Sequence, residues 1–162
     1  MSLGPADQYE VINRFRRTAP VDVNGLVIAL GVMQERAFLP PDISGMIERR
    51  GGGYVITVNA LDSITRQRFT TAHELGHYML HRDRIGDGIA DDRAYRSSSS
   101  GKYRNTRIGP REETQANAFA ANVLMPFDLI ERLKKEGYRT PSELAKRLVV
   151  SEQAMAIRLG GR

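Results

Sequence analysis

The chain has 162 residues, 41% of them hydrophobic, and carries 24 basic against 19 acidic side chains, a formal charge of +5. That length suits one domain with a real core, or one domain with a small appendage. There is no cysteine, which excludes disulfides, thiolate metal sites and a cysteine nucleophile. No run approaches the ~18 consecutive apolar residues of a membrane span. The first seven residues lack the basic start and apolar run of a secretory signal, so a cytoplasmic setting is expected. The positive balance favours an acidic or nucleic-acid partner without showing one.

Residues 7–17 read as a short amphipathic helix with Tyr9, Val11, Ile12 and Phe15 on its apolar side, broken by Pro20. The apolar stretch 21–30 is read as a helix ended by Gly31, and 32–39 as a strand closed by Pro40 and Pro41. Residues 43–50 and 54–59 flank three glycines and predict a β-hairpin. Tyr54, Ile56 and Val58 alternate with Val55 and Thr57, the period of a half-buried strand. Such a strand either simply stabilises the hairpin or serves as an edge beside a site, able to hold an extended peptide by strand addition.

Asp62 or Ser63 can cap the next helix, which runs through Ile64, Phe69 and Ala72 to His81. It contains H-E-x-x-H as His73-Glu74-Leu75-Gly76-His77. Positions four apart on a helix lie one above the other. Both imidazoles can therefore aim at one point roughly 2 Å from each, the zinc–imidazole distance. Glu74 projects beside them, within reach of a water on the metal, which is the zinc-peptidase arrangement of two ligands and a general base. The three histidines of the chain all fall between positions 73 and 81, and Ala72, Leu75, Met79 and Leu80 beside them mark a buried face. His81 lies roughly 12 Å along the axis from His73. It is expected to be a cation near the helix C-terminus or a rim residue.

Residues 82–110 hold Gly86, Gly88, four serines at 97–100, Gly101 and Gly109-Pro110, with arginines interleaved among Asp83, Asp87, Asp91 and Asp92. A connection of that length is usually functional or disordered, and it is read as a flexible insertion beside the site. Residues 111–125 form a second strong helix, with Ala116, Phe119, Ala120, Val123 and Leu124 as its stripe. Glu112 and Glu113 occupy its first turn. Pro126 ends it. Residues 127–136 are a further amphipathic helix, with Gly137 past its end. Thr140-Pro141-Ser142-Glu143 is a capping box with proline at the first helical position. It opens a helix through Leu148, and Ser151 caps a last one, with Val150 and Met155 as a hydrophobic staple. Two short helices across a tight turn form a helix-turn-helix pattern. The chain thus divides into 1–137 and a C-terminal unit, 138–162.

A catalytic zinc site takes three protein ligands and a water. No further histidine or cysteine remains, so the third ligand should be a carboxylate: Glu113 or Glu112 first, then Asp91 or Asp92.

The block 66–81, centred on His73-Glu74-Leu75-Gly76-His77, resembles the core of the ImmA/IrrE family of bacterial and phage metallopeptidases. So does E-x-x-A-N-x-F-A-A-x-x-L-M-P, filled here by Glu113, Ala116, Asn117, Phe119, Ala120, Ala121, Leu124, Met125 and Pro126. The blocks occur in the family's order, a similar strand precedes the first, and a weaker likeness extends over 21–159. The resemblance implies an α+β fold with a zincin-like core, in which a small antiparallel sheet meets mainly helical packing. It also implies zinc-dependent endopeptidase activity. Glu113 becomes the third ligand, because it falls on the motif's glutamate and Glu112 does not. The family's substrate is typically a DNA-binding repressor, often of the Xre helix-turn-helix type, whose removal switches on a mobile element or a stress response. In that chemistry a metal-activated water attacks a peptide carbonyl, and Glu74 takes its proton and passes it to the leaving amine. Manganese or iron also suits two imidazoles and a carboxylate. Tyr95, Tyr103 and arginines of 82–110 are candidates for a second oxyanion donor. The chain departs from the family in its long 82–110 connection. No sensor-like domain follows the helix-turn-helix pattern, so a signal is expected to be received elsewhere.

Two other classes of function remain. One is a DNA-binding regulator acting through the C-terminal unit, with Lys146, Arg147 and Arg158 as cations and Glu152, Gln153 and Arg158 as base readers. The other is a repressor-binding or toxin–antitoxin partner that works without proteolysis.

Overall fold

A computed structural model describes residues 3–92, 105 and 107–160 of the chain. Four strands, β1 (Met33–Ala37), β2 (Ile43–Arg50), β3 (Gly53–Asn59) and β4 (Gly88–Asp92), make one sheet in the order β1-β3-β2-β4. Seven helices accompany them: α1 (Pro5–Phe15), α2 (Val23–Ala29), α3 (Ile64–Leu80), α4 (Pro110–Leu124), α5 (Phe127–Lys135), α6 (Pro141–Leu148) and α7 (Glu152–Arg158). Among the described residues no helix is long and apolar enough to cross a membrane.

The sheet is mixed, not antiparallel as expected. β2 pairs antiparallel with β3 and β4, but β1 pairs parallel with β3. The hairpin itself forms as read, with Gly51 and Gly52 both at positive φ in its two-residue turn. The parallel pair arises because 38–42 carries β2 past the end of β3, and the hairpin then brings β3 back between β1 and β2. Asn59, fully buried, ties this crossover. Its Nδ2 donates to Ile43 O at 3.0 Å and to Leu39 O at 3.3 Å, and its Oδ1 accepts from Leu61 N at 3.1 Å. A buried amide that satisfies loop backbone on both sides removes the cost of burying that backbone. The strand 54–59 is therefore interior. The edges are β1 and β4.

The connection read as a flexible insertion begins with regular structure. A 3-10 turn spans Arg82–Arg84, and β4 adds to β2. Ile85 and Ile89 are completely buried there. The free edge of β2 makes this strand, a long-range pairing that overrides weak local propensity. Asn105 holds the start of it, donating from Nδ2 to Arg84 O at 2.7 Å and to Ile85 O at 3.0 Å.

Helix α3 lies between the sheet and α4. Ser63 caps it, its side chain accepting from Arg66 N. Towards the sheet, a Cβ added at Gly45 of β2 would come 2.5 Å from Thr70 Cγ2. Towards α4, a Cβ at Gly76 would come 3.2 Å from Ala116 Cα, Ala116 O and Phe119 Cβ. Both surfaces of α3 thus meet their neighbours at the closest approach that glycine permits.

The C-terminal helices share the main core. Leu144, Leu148, Val150 and Met155 are buried in one cluster with Leu26, Ile56 and Leu75. Arg68 of α3 reinforces this, donating to Val149 O at 3.1 Å, Leu148 O at 3.3 Å and Val21 O at 2.9 Å. Val149 is left-handed, with φ of 54°. That conformation is costly for a β-branched residue, and Arg68 clasps the carbonyls on both sides of it. Arg147 donates to Ala19 O, and Arg158 donates to Met125 O at 2.8 Å. Two of the three cations counted towards DNA are thus engaged internally.

Gly76→Val should destabilise the fold by ~1–3 kcal/mol through overpacking against α4, measured by urea denaturation. An unchanged midpoint would contradict the close α3–α4 contact.

Candidate metal centre

Ala72 and Leu75 anchor α3 in the core, and the histidines that alternate with them are carried inward. His73, Glu74 and His77 are completely buried. Glu113 enters from the first turn of α4 and is 5% exposed. Its Oε1 lies 2.7 Å from His77 Nε2 and 3.7 Å from His73 Nε2. One ligand atom from each of these residues lies within 4.8 Å of the other two.

The rings are held from behind. Asn117 Oδ1 is 2.8 Å from His73 Nδ1, so the ring N–H points there. His77 Nδ1 lies 3.0 Å from His81 Nδ1, and His81 Nε2 lies 2.7 Å from Gln115 Oε1. With each Nδ1 turned to its outer partner, both imidazoles present Nε2 to the Glu113 carboxylate. Lone pairs and a carboxylate converging in a buried space repel one another, and a cation among them reverses the sign. Two imidazole nitrogens and a carboxylate oxygen are a donor set that a divalent metal accepts. The residues present fit the group that the motif implies.

Glu112 does not join them. Its Oε1 accepts from Gly109 N at 2.9 Å, closing the N-terminus of α4, and its Oε2 lies 3.3 Å from Arg84 Nη1. The Gly109 N–H, helped by Arg84, holds this carboxyl below its usual value. Asp91 and Asp92 end β4, and their side chains lie outside the described residues, as do Tyr95 and Tyr103.

His81 closes the C-terminus of α3 but is not a rim residue. It is 2% exposed, and burial pushes its imidazole below its ordinary value, against an opposing pull from the bond to Gln115. Its burial follows from the turn at Arg82–Arg84, which folds the chain back over it. Gln115 was not singled out in the sequence, and Asn117 entered only as a position of the second block, with no role assigned. A signal was available, because Asn117 stands one helical turn from Glu113, the same spacing that stacks His73 on His77.

Residues 32–160 match the Peptidase_M78 family, described as the IrrE N-terminal-like domain. The chain belongs to this family. Over 101 residues it is 40% identical to the radiation response metalloprotease IrrE of Deinococcus radiodurans, a match covering 60% of this chain and 28% of that protein. It is 36% identical over 123 residues to the protein of the same name from Deinococcus deserti, covering 70% of this chain and 40% of that one. The chain therefore spans less than half the length of these curated relatives. Among solved structures, a Mycobacterium tuberculosis transcriptional regulator superposes with a TM-score of 0.62 at 18% identity, over 94% of this chain and 46% of that one. That likeness is one of fold. Both the family and the cluster on α3 and α4 point to a metal as the group the site holds.

Glu112 and Glu113 should separate cleanly. A divalent metal at about 100 times its Kd stabilises a folded protein by ~2.7 kcal/mol. Glu113→Ala should lose this metal-linked rise in melting temperature. Glu112→Ala should lower the melting temperature of the metal-free protein and keep the rise. The opposite pattern would move the third ligand to Glu112.

Proposed function

We propose that this chain is a zinc-dependent endopeptidase, with His73, His77 and Glu113 as ligands and Glu74 as general base. The observation that carries this reading is the convergence of the three buried donors, from two helices, with the buried carboxylate of Glu74 one residue from His73. The donor set favours zinc, and manganese or iron remains compatible with it. Zinc bound there supplies Lewis acidity, polarising a peptide carbonyl and lowering the pKa of a water toward neutrality.

The chain's own residues do the rest. Asn117 and His81 orient the two ligand rings. Glu74, one residue after His73, takes the proton from the attacking water and returns it to the amine that leaves. The same burial that keeps bulk water away strengthens each electrostatic contact. Rotation of 100° per residue places His73 and His77 on α3 between Gly76, which faces α4, and Thr70, which faces β2. β4 lies next beyond β2 and has a free outer edge, where an extended substrate segment can add as a further strand. β3, interior to the sheet, has no free edge for that role.

The family resemblance supplies the substrate class, a DNA-binding repressor of the Xre type. The division at 137 belongs to the same proposal: residues 138–160 form a helix-turn-helix-like unit that packs on a zincin-like catalytic layer. Direct DNA binding ranks behind it, because Arg147 and Arg158 bond to backbone carbonyls of the chain.

Glu74→Gln should keep the metal and keep binding a candidate Xre-type repressor. Its cleavage rate should fall by roughly 10²–10⁴-fold, the worth of a general base, read as new N-termini by mass spectrometry. Equal cleavage by both proteins would remove Glu74 from the chemistry, and binding without cleavage by either would favour the non-proteolytic partner.

A further inference from the structure

We propose that His81, backed by Gln115, is a positioning residue that keeps the proton of His77 on Nδ1 and so aims the Nε2 lone pair at the metal. The inference rests on the reading of His73, His77 and Glu113 as metal ligands.

Donors and acceptors fix the proton. Gln115 presents its amide oxygen, which has only lone pairs to offer, and this orientation makes His81 Nε2 the donor across the 2.7 Å. A neutral imidazole carries a single N–H. His81 Nδ1 is therefore an acceptor. The atom 3.0 Å from it is His77 Nδ1, which must then be the donor. That leaves the lone pair of His77 on Nε2, where a metal can use it.

The competing state is visible in the same geometry. His77 Nε2 lies 2.7 Å from Glu113 Oε1. With its proton on Nε2, His77 would bond directly to that carboxylate, closing two ligands on each other and excluding the metal. The His81–Gln115 chain opposes this closed tautomer. It works as a unit because His81 is 2% exposed, which leaves little access for water to replace its Nδ1. The position is also fixed through the backbone, since His81 N donates to His77 O at 2.8 Å and His81 O accepts from Arg84 N at 2.8 Å. A carboxylate, a backbone carbonyl or a water usually backs a ligand imidazole. Here an imidazole does so, adding no further carboxylate behind a site that already buries Glu74 and Glu113.

The test compares the full chain with His81→Phe, His81→Asn and Gln115→Leu. Three quantities are read: zinc affinity by chelator competition, the metal-free melting temperature, and the tautomer of His77 by ¹⁵N NMR of histidine-labelled metal-free protein at a pH where the rings are neutral. Phe fills the ring's space without an acceptor, and should weaken zinc binding about 10–100-fold and move the His77 proton to Nε2. Asn places Oδ1 where Nδ1 was and should restore both affinity and tautomer. Gln115→Leu leaves His81 in place and should give a smaller loss in the same direction, which keeps the test open if His81→Phe does not fold. Zinc affinity unchanged in both His81→Phe and Gln115→Leu would overturn the proposal. So would equal losses in His81→Phe and His81→Asn, which would make His81 a space-filling residue. If the wild-type chain binds no zinc, the metal reading fails by itself. The NMR then decides the hydrogen-bond chain, and a wild-type His77 with its proton on Nε2 would overturn it.

Discussion

Gly76 lets α3 come into direct contact with α4, its missing Cβ leaving only 3.2 Å to Ala116 and Phe119. The rest of the site depends on that approach. His73 and His77 belong to one helix and would find each other in any fold that forms it, but Glu113 belongs to another helix, 36 positions further along the chain. Its carboxylate reaches His77 Nε2 at 2.7 Å only because the backbones of the two helices are so near. The same contact sets Asn117 behind His73 and Gln115 behind His81. One close helix pair thus supplies a ligand and both outer supports.

The opposite side of α3 is held as firmly. Thr70 sits over Gly45 of β2, and Asn59 locks the crossover that puts β2 and β3 under the helix. Arg68 bonds the same helix to the turn between α6 and α7. Such rigidity has a use. Two carboxylates and three imidazoles are buried together, an arrangement that is unfavourable on its own and becomes favourable around a divalent cation. A looser scaffold would let Glu113 turn outward to water. Packing against the core keeps it facing the histidines.

Much of this was legible in the sequence, for reasons that are local. The helix caps at Ser63, Thr140 and Ser151, the hairpin across Gly51 and Gly52, and the i, i+4 spacing of the histidines are short-range chemistry. What was not legible depends on partners far along the chain. Nothing near Gly88 announces β4, because the free edge of β2 makes it a strand. The parallel pairing of β1 with β3 follows from the crossover at 38–42, which Asn59 ties through side-chain bonds that its place at the end of strand 54–59 does not announce. His81 looked like a helix-terminal cation because its burial is created by the following turn and by Gln115. Glu113 was distinguished from Glu112 by family resemblance, whereas the geometry distinguishes them by what each touches: Glu112 the backbone at Gly109, Glu113 the two histidines.

X-ray absorption at the zinc edge tests the central claim most directly, on full-length protein purified without added metal. One zinc per chain is expected, in a shell of two imidazole nitrogens at ~2.0–2.1 Å and carboxylate or water oxygens at ~2.0–2.2 Å. Protein that holds no metal even after zinc is offered and the excess removed, or a shell of oxygens with no imidazole, would contradict it.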